Sequence, residues 1–207
     1  MSKICAIISG GEYAPLSEIE KADFLICCDK GYAYARQNSL TPDLLIGDFD
    51  SYQAPLPDDI PTVTLPHEKD DTDTLYAVRT ALKANFAEIW FYCALGGRLD
   101  HTYANLQTAA FAAAEGVKVR FLQNETEIRI VHNTAVTIPA KKGFALSVFS
   151  MDNAADGVSI AGAQYNLDHA QITNTFPIGI SNEFIDGNPV QISVQNGTLM
   201  IICIRAD

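Results

Sequence analysis

The sequence predicts a chain of class α/β + β. An N-terminal doubly wound, mostly parallel sheet with helices on both faces precedes a C-terminal antiparallel β-sandwich. Three observations predict it. Up to Gln123, short and nearly continuous apolar runs alternate with helical stretches, the pattern of a parallel sheet covered on both faces. From Asn124 the helical period disappears, and short strand-like segments follow one another between Gly and Asn turns, as in a small sandwich or barrel. The 207 residues, 48% hydrophobic and 19% charged, can bury a sizeable core and exclude disorder as the main state. The expected domains are 1–123 and 124–207.

Taken in order, Lys3–Ser9 (KICAIIS) and Phe24–Cys28 (FLICC) read as buried strands. Gly31 to about Asn38 reads as a helix, Leu44–Ile46 as a third strand and Val63–Leu65 as a fourth. Thr72–Phe86 is an amphipathic helix, with Leu75, Val78, Leu82 and Phe86 predicted on its buried face. Glu88–Leu95 (EIWFYCAL) is a strand, Leu99–Glu115 an Ala-rich helix ended by Gly116, and Val117–Leu122 the last strand of this half. In the second half, strands are expected at Glu127–Val131, Ala135–Ile138, Ala145–Phe149, Val158–Ile160, Gln171–Thr173, Val190–Val194 and Leu199–Ile204. Asn196-Gly197 between the last two is the strongest short hairpin signal.

Charge narrows the function. Lys and Arg number 14 and Asp and Glu 25, a net charge of −11 with an isoelectric point near 4.6. This argues against nonspecific binding to nucleic acid or to an anionic membrane. Ten basic residues stand against 17 acidic ones before residue 124, and four against eight after it, so the excess is larger in the α/β half. No stretch approaches the roughly 20 apolar residues of a membrane span. The opening MSKICAIISGG reads as a first strand rather than a signal segment. Cys5, Cys27, Cys28, Cys93 and Cys203 lie in apolar runs without a C-x-x-C, which suits small buried side chains in a reducing cytoplasm.

In open parallel sheets ligands bind beyond the carboxyl ends of the strands, and four such ends carry acids. Asp29 follows FLICC. Asp48 and Asp50 follow LLIG. Asp70, Asp71 and Asp73 lie between the fourth strand and its helix. Asp100 follows the EIWFYCAL strand across Gly96-Gly97. Asp48 and Asp50 are two apart and share a side of extended backbone. Asp70 and Asp73 are three apart and share a face of a first helical turn. Two such pairs give an all-oxygen ligand set suited to Mg²⁺. Taken singly, each acid also has a plainer reading, as a helix cap or a turn former. Convergence on one edge favours a cation, because paired carboxylates repel unless a cation lies between them.

Ala94-Leu95-Gly96-Gly97-Arg98-Leu99-Asp100-His101 is the second informative run. Two glycines between strand and helix admit positive φ and close backbone approach, and Arg98 offers a planar fork to phosphate. A sharp turn alone would also explain the glycines. His101 and Asn105 are four apart and share a helical face. Ser9-Gly10-Gly11-Glu12 is Gly-rich without the G-x-G-x-x-G spacing, and remains a candidate lining for a nucleotide. There is no G-x-x-x-x-G-K-[ST] segment and no G-x-S-x-G elbow.

Asp29-Lys30-Gly31, Gly47-Asp48-Phe49-Asp50-Ser51, Lys69-Asp70-Asp71-Thr72-Asp73 and Gly96 through Asn105 (GGRLDHTYAN) resemble, in order and spacing, the motifs of thiamin pyrophosphokinases. Gly162-Ala163-Gln164-Tyr165-Asn166-Leu167 and Gly179-Ile180-Ser181-Asn182-Glu183 are similar to that family's β-domain motifs. The resemblance implies an ATP-binding α/β domain, a β-sandwich that binds thiamin, a homodimer, and Mg²⁺-dependent transfer of a pyrophosphoryl group from ATP to the thiamin hydroxyl, yielding AMP. It assigns Asp48, Asp50, Asp70 and Asp73 to metal and phosphate. Asp29, Gly97, Arg98, Asp100, His101 and Asn105 go to the nucleotide side, and Ser181 and Asn182 to thiamin. Two positions depart from the family pattern: Lys30 stands where Gly is usual, and Tyr165 where many relatives carry Trp. The competing readings are a phosphotransferase or phosphohydrolase acting on another alcohol, and a nucleotide-sensing module without turnover.

Overall fold

The structure is a computed structural model describing residues 3–49, 55–66 and 71–206. The chain divides into two compact units, Met1–Asn124 and Glu125–Asp207.

The first unit comprises β1 (Ile4–Ile8), β2 (Phe24–Cys28), α1 (Gly31–Gln37), β3 (Leu44–Gly47), β4 (Thr62–Thr64), α2 (Asp73–Lys83), β5 (Glu88–Tyr92), α3 (Leu99–Ala114) and β6 (Lys118–Gln123). A short 3₁₀ turn, Ile19–Lys21, precedes β2. Its strands run parallel in the order β6-β5-β1-β2-β3-β4. The order reverses between β1 and β5, so the carboxyl ends of these two strands flank the switch point where such sheets take ligands.

Alternation along the strands divides the apolar side chains between two faces. On one face Ala6, Ile8, Leu25, Cys27, Leu45, Trp90 and Tyr92 pack with Tyr32, Tyr34 and Ala35 of α1. On the other, Cys5, Ile7, Ile26, Cys28, Ile89 and Phe91 are buried. There α2 lies against β1, β2 and β3 and touches α3, and Phe91 stacks on Phe121 at 4.6 Å between ring centroids.

The buried face of α2 is Thr74, Ala77, Val78 and Ala81; of the predicted Leu75, Val78, Leu82 and Phe86 it keeps Val78, and Phe86 lies past the helix's end at Lys83. Small side chains let α2 approach the sheet and the alanines of α3 (Ala109, Ala112 and Ala113 are buried). The larger Leu75 and Leu82 flank the contact, half-buried. All five cysteines are buried and free.

The second unit comprises β7 (Thr126–His132), β8 (Ala135–Ile138), β9 (Phe144–Ser150), β10 (Ala154–Ala161), β11 (Leu167–Thr173), β12 (Asn182–Glu183), β13 (Val190–Ser193) and β14 (Thr198–Arg205). Antiparallel pairing gives the orders β12-β9-β14-β7 and β11-β10-β13-β8. Inward side chains of both sheets, among them Ile138, Val148, Ile160, Ile192, Leu199 and Ile201, form one core, as a sandwich requires. Asn196-Gly197 does not close a hairpin. It carries the chain from β13 in one sheet to β14 in the other. Asn196 bridges to Asp156, the Gly197 N–H donates to Asn133 Oδ1 at 2.7 Å, and the Thr198 N–H donates to Asp152 Oδ2 at 2.6 Å. Partners outside the two flanking strands therefore override the local turn preference.

Candidate active site

Strand register brings the chemistry to one edge of the first unit. Ile8 pairs with both Cys27 and Tyr92, and Cys28 pairs with Ile46, so β1, β2, β3 and β5 end at nearly the same level. A cleft of about 1030 Å³ opens there, walled by Ser9 to Glu12, Cys28 to Lys30, Asp48, Asp71 to Thr74, Gly96 to Arg98, His101 and Asn105.

Asp29 leaves β2 with φ 45°, a left-handed conformation uncommon outside glycine. Its Oδ1 accepts from the Phe49 N–H at 3.3 Å. Gly47 leaves room for this carboxyl, because a Cβ there would stand 1.8 Å from Asp29 Oδ1 and push the Asp29 side chain aside. This contact fixes Asp48 beside Asp29. Burial, followed by a hydrogen bond to Asp73 and the charges of Asp73 and Asp48, pushes the Asp29 carboxyl up to about 7, against a smaller opposing effect of the Phe49 N–H. Three carboxylates thus crowd one wall.

At the start of α2 the capping role falls to Thr72, whose Oγ1 accepts from the Leu75 N–H at 3.1 Å. Asp71 pairs with Arg79. Asp73 is therefore not needed as a cap, and its side chain meets Asp29. Thr74 Oγ1 lies 3.0 Å from Ser9 Oγ and ties the helix to the end of β1.

Gly96 and Gly97 both take positive φ, 76° and 69°, and deliver the chain into α3. The Asn105 amide donates to the Ala94 carbonyl at 2.7 Å, locking helix to turn. Arg98 grips Asp100 with both arms, Nε to Oδ1 at 3.1 Å and Nη2 to Oδ2 at 2.6 Å. That hydrogen bond, the largest influence on it, holds the Asp100 carboxyl down at about 2. Both side chains are exposed, where a phosphate can exchange with the carboxylate.

Of the residues expected from sequence, Asp29, Asp48, Asp73, Gly97, Arg98, His101 and Asn105 line the cleft, while Asp100 is outside that lining and reaches it through its pair with Arg98. Asp50 and Asp70 lie outside the described residues. Among the described residues no three His, Cys, Asp or Glu side chains close into a metal site. The donor chemistry nevertheless fits Mg²⁺, which takes one or two carboxylates and leaves positions for phosphate and water. Asp48 and Asp73 supply such hard oxygens. Ser9 to Glu12, read from sequence as a candidate nucleotide lining, do line the cleft, whereas sequence reasoning gave Lys30, Thr72 and Thr74 no role in the site. Their common signal is position, each being at or next to a strand end or helix start on this edge.

In the second unit the Ser181 N–H donates to Ser147 Oγ at 3.0 Å. Asn182 is buried and clamps a neighbouring loop. Its Nδ2 donates to the Tyr165 carbonyl at 2.7 Å, and its Oδ1 accepts from the Tyr165 N–H at 3.0 Å and from the Glu183 N–H at 2.9 Å. The Tyr165 side chain projects outward, 64% exposed.

A doubly wound sheet bearing a glycine-rich, carboxylate-walled cleft at its switch point, with an antiparallel sandwich in the same chain, defines a two-domain α/β + β protein that takes its ligand at the parallel sheet's carboxyl edge. Comparison with known proteins narrows the class. Residues 16–121 match the family described as "Thiamin pyrophosphokinase, catalytic domain", and residues 126–199 match "Thiamin pyrophosphokinase, vitamin B1 binding domain". The chain belongs to the thiamin pyrophosphokinase family. It is 25% identical to the thiamine pyrophosphokinase of Bacillus subtilis, over 97% of this chain and 98% of that protein. The fold matches the crystal structure of thiamine pyrophosphokinase from B. subtilis with a TM-score of 0.87 at 24% identity, covering 98% of this chain and 99% of the other. It matches the yeast thiamin pyrophosphokinase structure with a TM-score of 0.74 at 13% identity, covering 98% and 86%.

Proposed function

We propose that this chain transfers the pyrophosphoryl group of ATP to the hydroxyl of thiamin, releasing thiamin diphosphate and AMP. The observation that carries the reading is the crowding of Asp29, Asp48 and Asp73 in a cleft that also presents Arg98. In the reaction the thiamin hydroxyl oxygen bonds to the β-phosphorus, the bond from that phosphorus to the α–β bridging oxygen breaks, and AMP leaves with that oxygen. A carboxylate of the cleft takes the hydroxyl proton. Such transfer depends on positioning and on neutralising charge more than on covalent chemistry.

Asp48 and Asp73, with Asp50 and Asp70, would hold Mg²⁺, which when bound neutralises triphosphate charge. Arg98, released from Asp100, gives its fork to a phosphate. Gly97, His101 and Asn105 shape the nucleotide side. Thiamin is a cation, so an acidic cleft and an exposed aromatic such as Tyr165 suit it. Ser181 and Asn182 support the thiamin side, Asn182 by holding the Tyr165 loop. We place thiamin at a homodimer's shared site, in the cytoplasm. No helix among the described residues is long and apolar enough to cross a membrane.

The test is incubation with ATP, Mg²⁺ and thiamin, with mass analysis of the products. Thiamin diphosphate and AMP in equal amounts are expected. ADP with thiamin monophosphate, or ATP consumption indifferent to thiamin, would overturn the assignment.

A further inference from the structure

We infer that Lys30 binds the phosphates that are transferred, an inference resting on the ATP reading of the cleft. Lys30 and Arg98 are the two lysine or arginine side chains on the described wall, facing Glu12, Asp29, Asp48, Asp71 and Asp73. A triphosphate entering so acidic a cleft needs cations, and the two differ in position and in present partner. Arg98 follows β5 and is held by both arms to Asp100. Lys30 follows β2, next to Asp29 and across from Gly10, where an added Cβ would come within 3.4 Å of Lys30 Cβ. Since β2 lies between β1 and β3, Lys30 stands on the carboxylate side of the cleft and Arg98 on the side of α3.

Its ammonium rests on the Tyr34 ring, 5.2 Å from the centroid. That ring is itself pinned, because the Tyr34 hydroxyl donates to the Gly11 carbonyl at 2.8 Å. The cation is thereby parked beside the Gly10-Gly11 turn on an aromatic face. That contact is weaker than the charge-assisted hydrogen bonds a phosphate offers. A flexible four-carbon stem lets Lys30 swing from the ring to an anion without moving backbone. With Mg²⁺ held at Asp48 and Asp73 as proposed above, the β- and γ-phosphates, which become the diphosphate of the product, would lie on the carboxylate side. Lys30 contacts them, whereas Arg98 serves the nucleotide side.

The experiment compares wild type, Lys30→Met, Lys30→Gln and Lys30→Arg, each checked for folding by circular dichroism, in calorimetric titrations with Mg–ATP and with AMP. Lys30→Met and Lys30→Gln are expected to weaken ATP binding about tenfold and to leave AMP binding within about twofold, while Lys30→Arg stays within about threefold of wild type. The salt dependence of ATP binding should flatten in Met and Gln and persist in Arg. ATP affinity within about twofold of wild type in folded Lys30→Met and Lys30→Gln would overturn the inference. So would an equal loss for ATP and AMP, or a loss that Arg does not recover. Because binding is read without thiamin, a failure to form thiamin diphosphate would count against the proposed reaction and leave this test legible.

Discussion

Asp29 stands in left-handed backbone with its carboxyl pressed between Asp73 and Asp48. Backbone strain and like-charge crowding both cost stability, and both gather at functional sites because the surrounding fold over-determines them. The same crowding makes each carboxylate's two contributions separable. Asp48→Asn or Asp73→Asn keeps the shape and removes one repelling charge. Turnover at saturating Mg²⁺ is expected to fall by about 10²–10³-fold, the scale of losing one preorganised electrostatic partner. The melting temperature of the metal-free protein is expected to stay level or rise. Steady-state kinetics and thermal melts check the two halves independently. A folded variant that turns over at nearly the wild-type rate removes that carboxylate from the site.

At the scale of elements, the start of α2 explains why Asp73 is available for chemistry. Thr72 supplies the cap, so Thr72→Ala is expected to cost about 1 kcal/mol and lower the melting temperature by about 2–4 °C for a chain of this size. Turnover should fall too, because Asp73 and Thr74 lose their anchor. Calorimetric melts alongside kinetics read both, and an unchanged melt would show that the Leu75 N–H finds another partner.

The central strands β1, β2, β3 and β5 were legible because burial on both faces leaves them nearly all apolar. FLICC is both the predicted and the observed strand. That Asp29, Asp48 and Asp73 share one cleft was legible because a parallel sheet aligns strand ends, so adjacency in sequence to a strand end becomes adjacency in space. What failed depended on distant partners. The α2 face followed the alanines of α3 rather than its own leucines, and Asn196-Gly197 answered to Asn133 and Asp152. The two-residue β12 has no pattern of its own and pairs only because Asn182 and Glu183 lie opposite Leu146 and Ala145. The clamp of Asn182 on Tyr165 has the same origin. Asn182→Ala leaves the Tyr165 backbone without its partners and is expected to raise the thiamin KM about tenfold while ATP binding stays intact. Ser181→Ala in the same background completes the test, and an unaltered thiamin KM in the folded, dimeric double variant would remove both residues from the thiamin side.

For the whole molecule, the second unit shows large apolar side chains to solvent that a sandwich does not need for its own core. Phe176, Ile178 and Ile180 are 65%, 57% and 60% exposed within one short loop, and Tyr165 is similarly open. Contiguous exposed apolar surface marks a place where something binds, and in a chain proposed to act as a homodimer a second copy is the natural occupant. The loop runs directly into Ser181 and Asn182, so covering it would complete the thiamin side at the same stroke. Phe176→Glu with Ile178→Glu places two like charges on the patch without touching the core. The double variant is expected to sediment as a monomer at concentrations where the parent is a dimer. Its melting temperature should fall, because association stabilises the folded chain, and its thiamin KM should rise at least tenfold while Mg–ATP affinity stays within about twofold. A dimer of undiminished stability would place the interface elsewhere, and a fully active monomer would show that one chain builds the whole site.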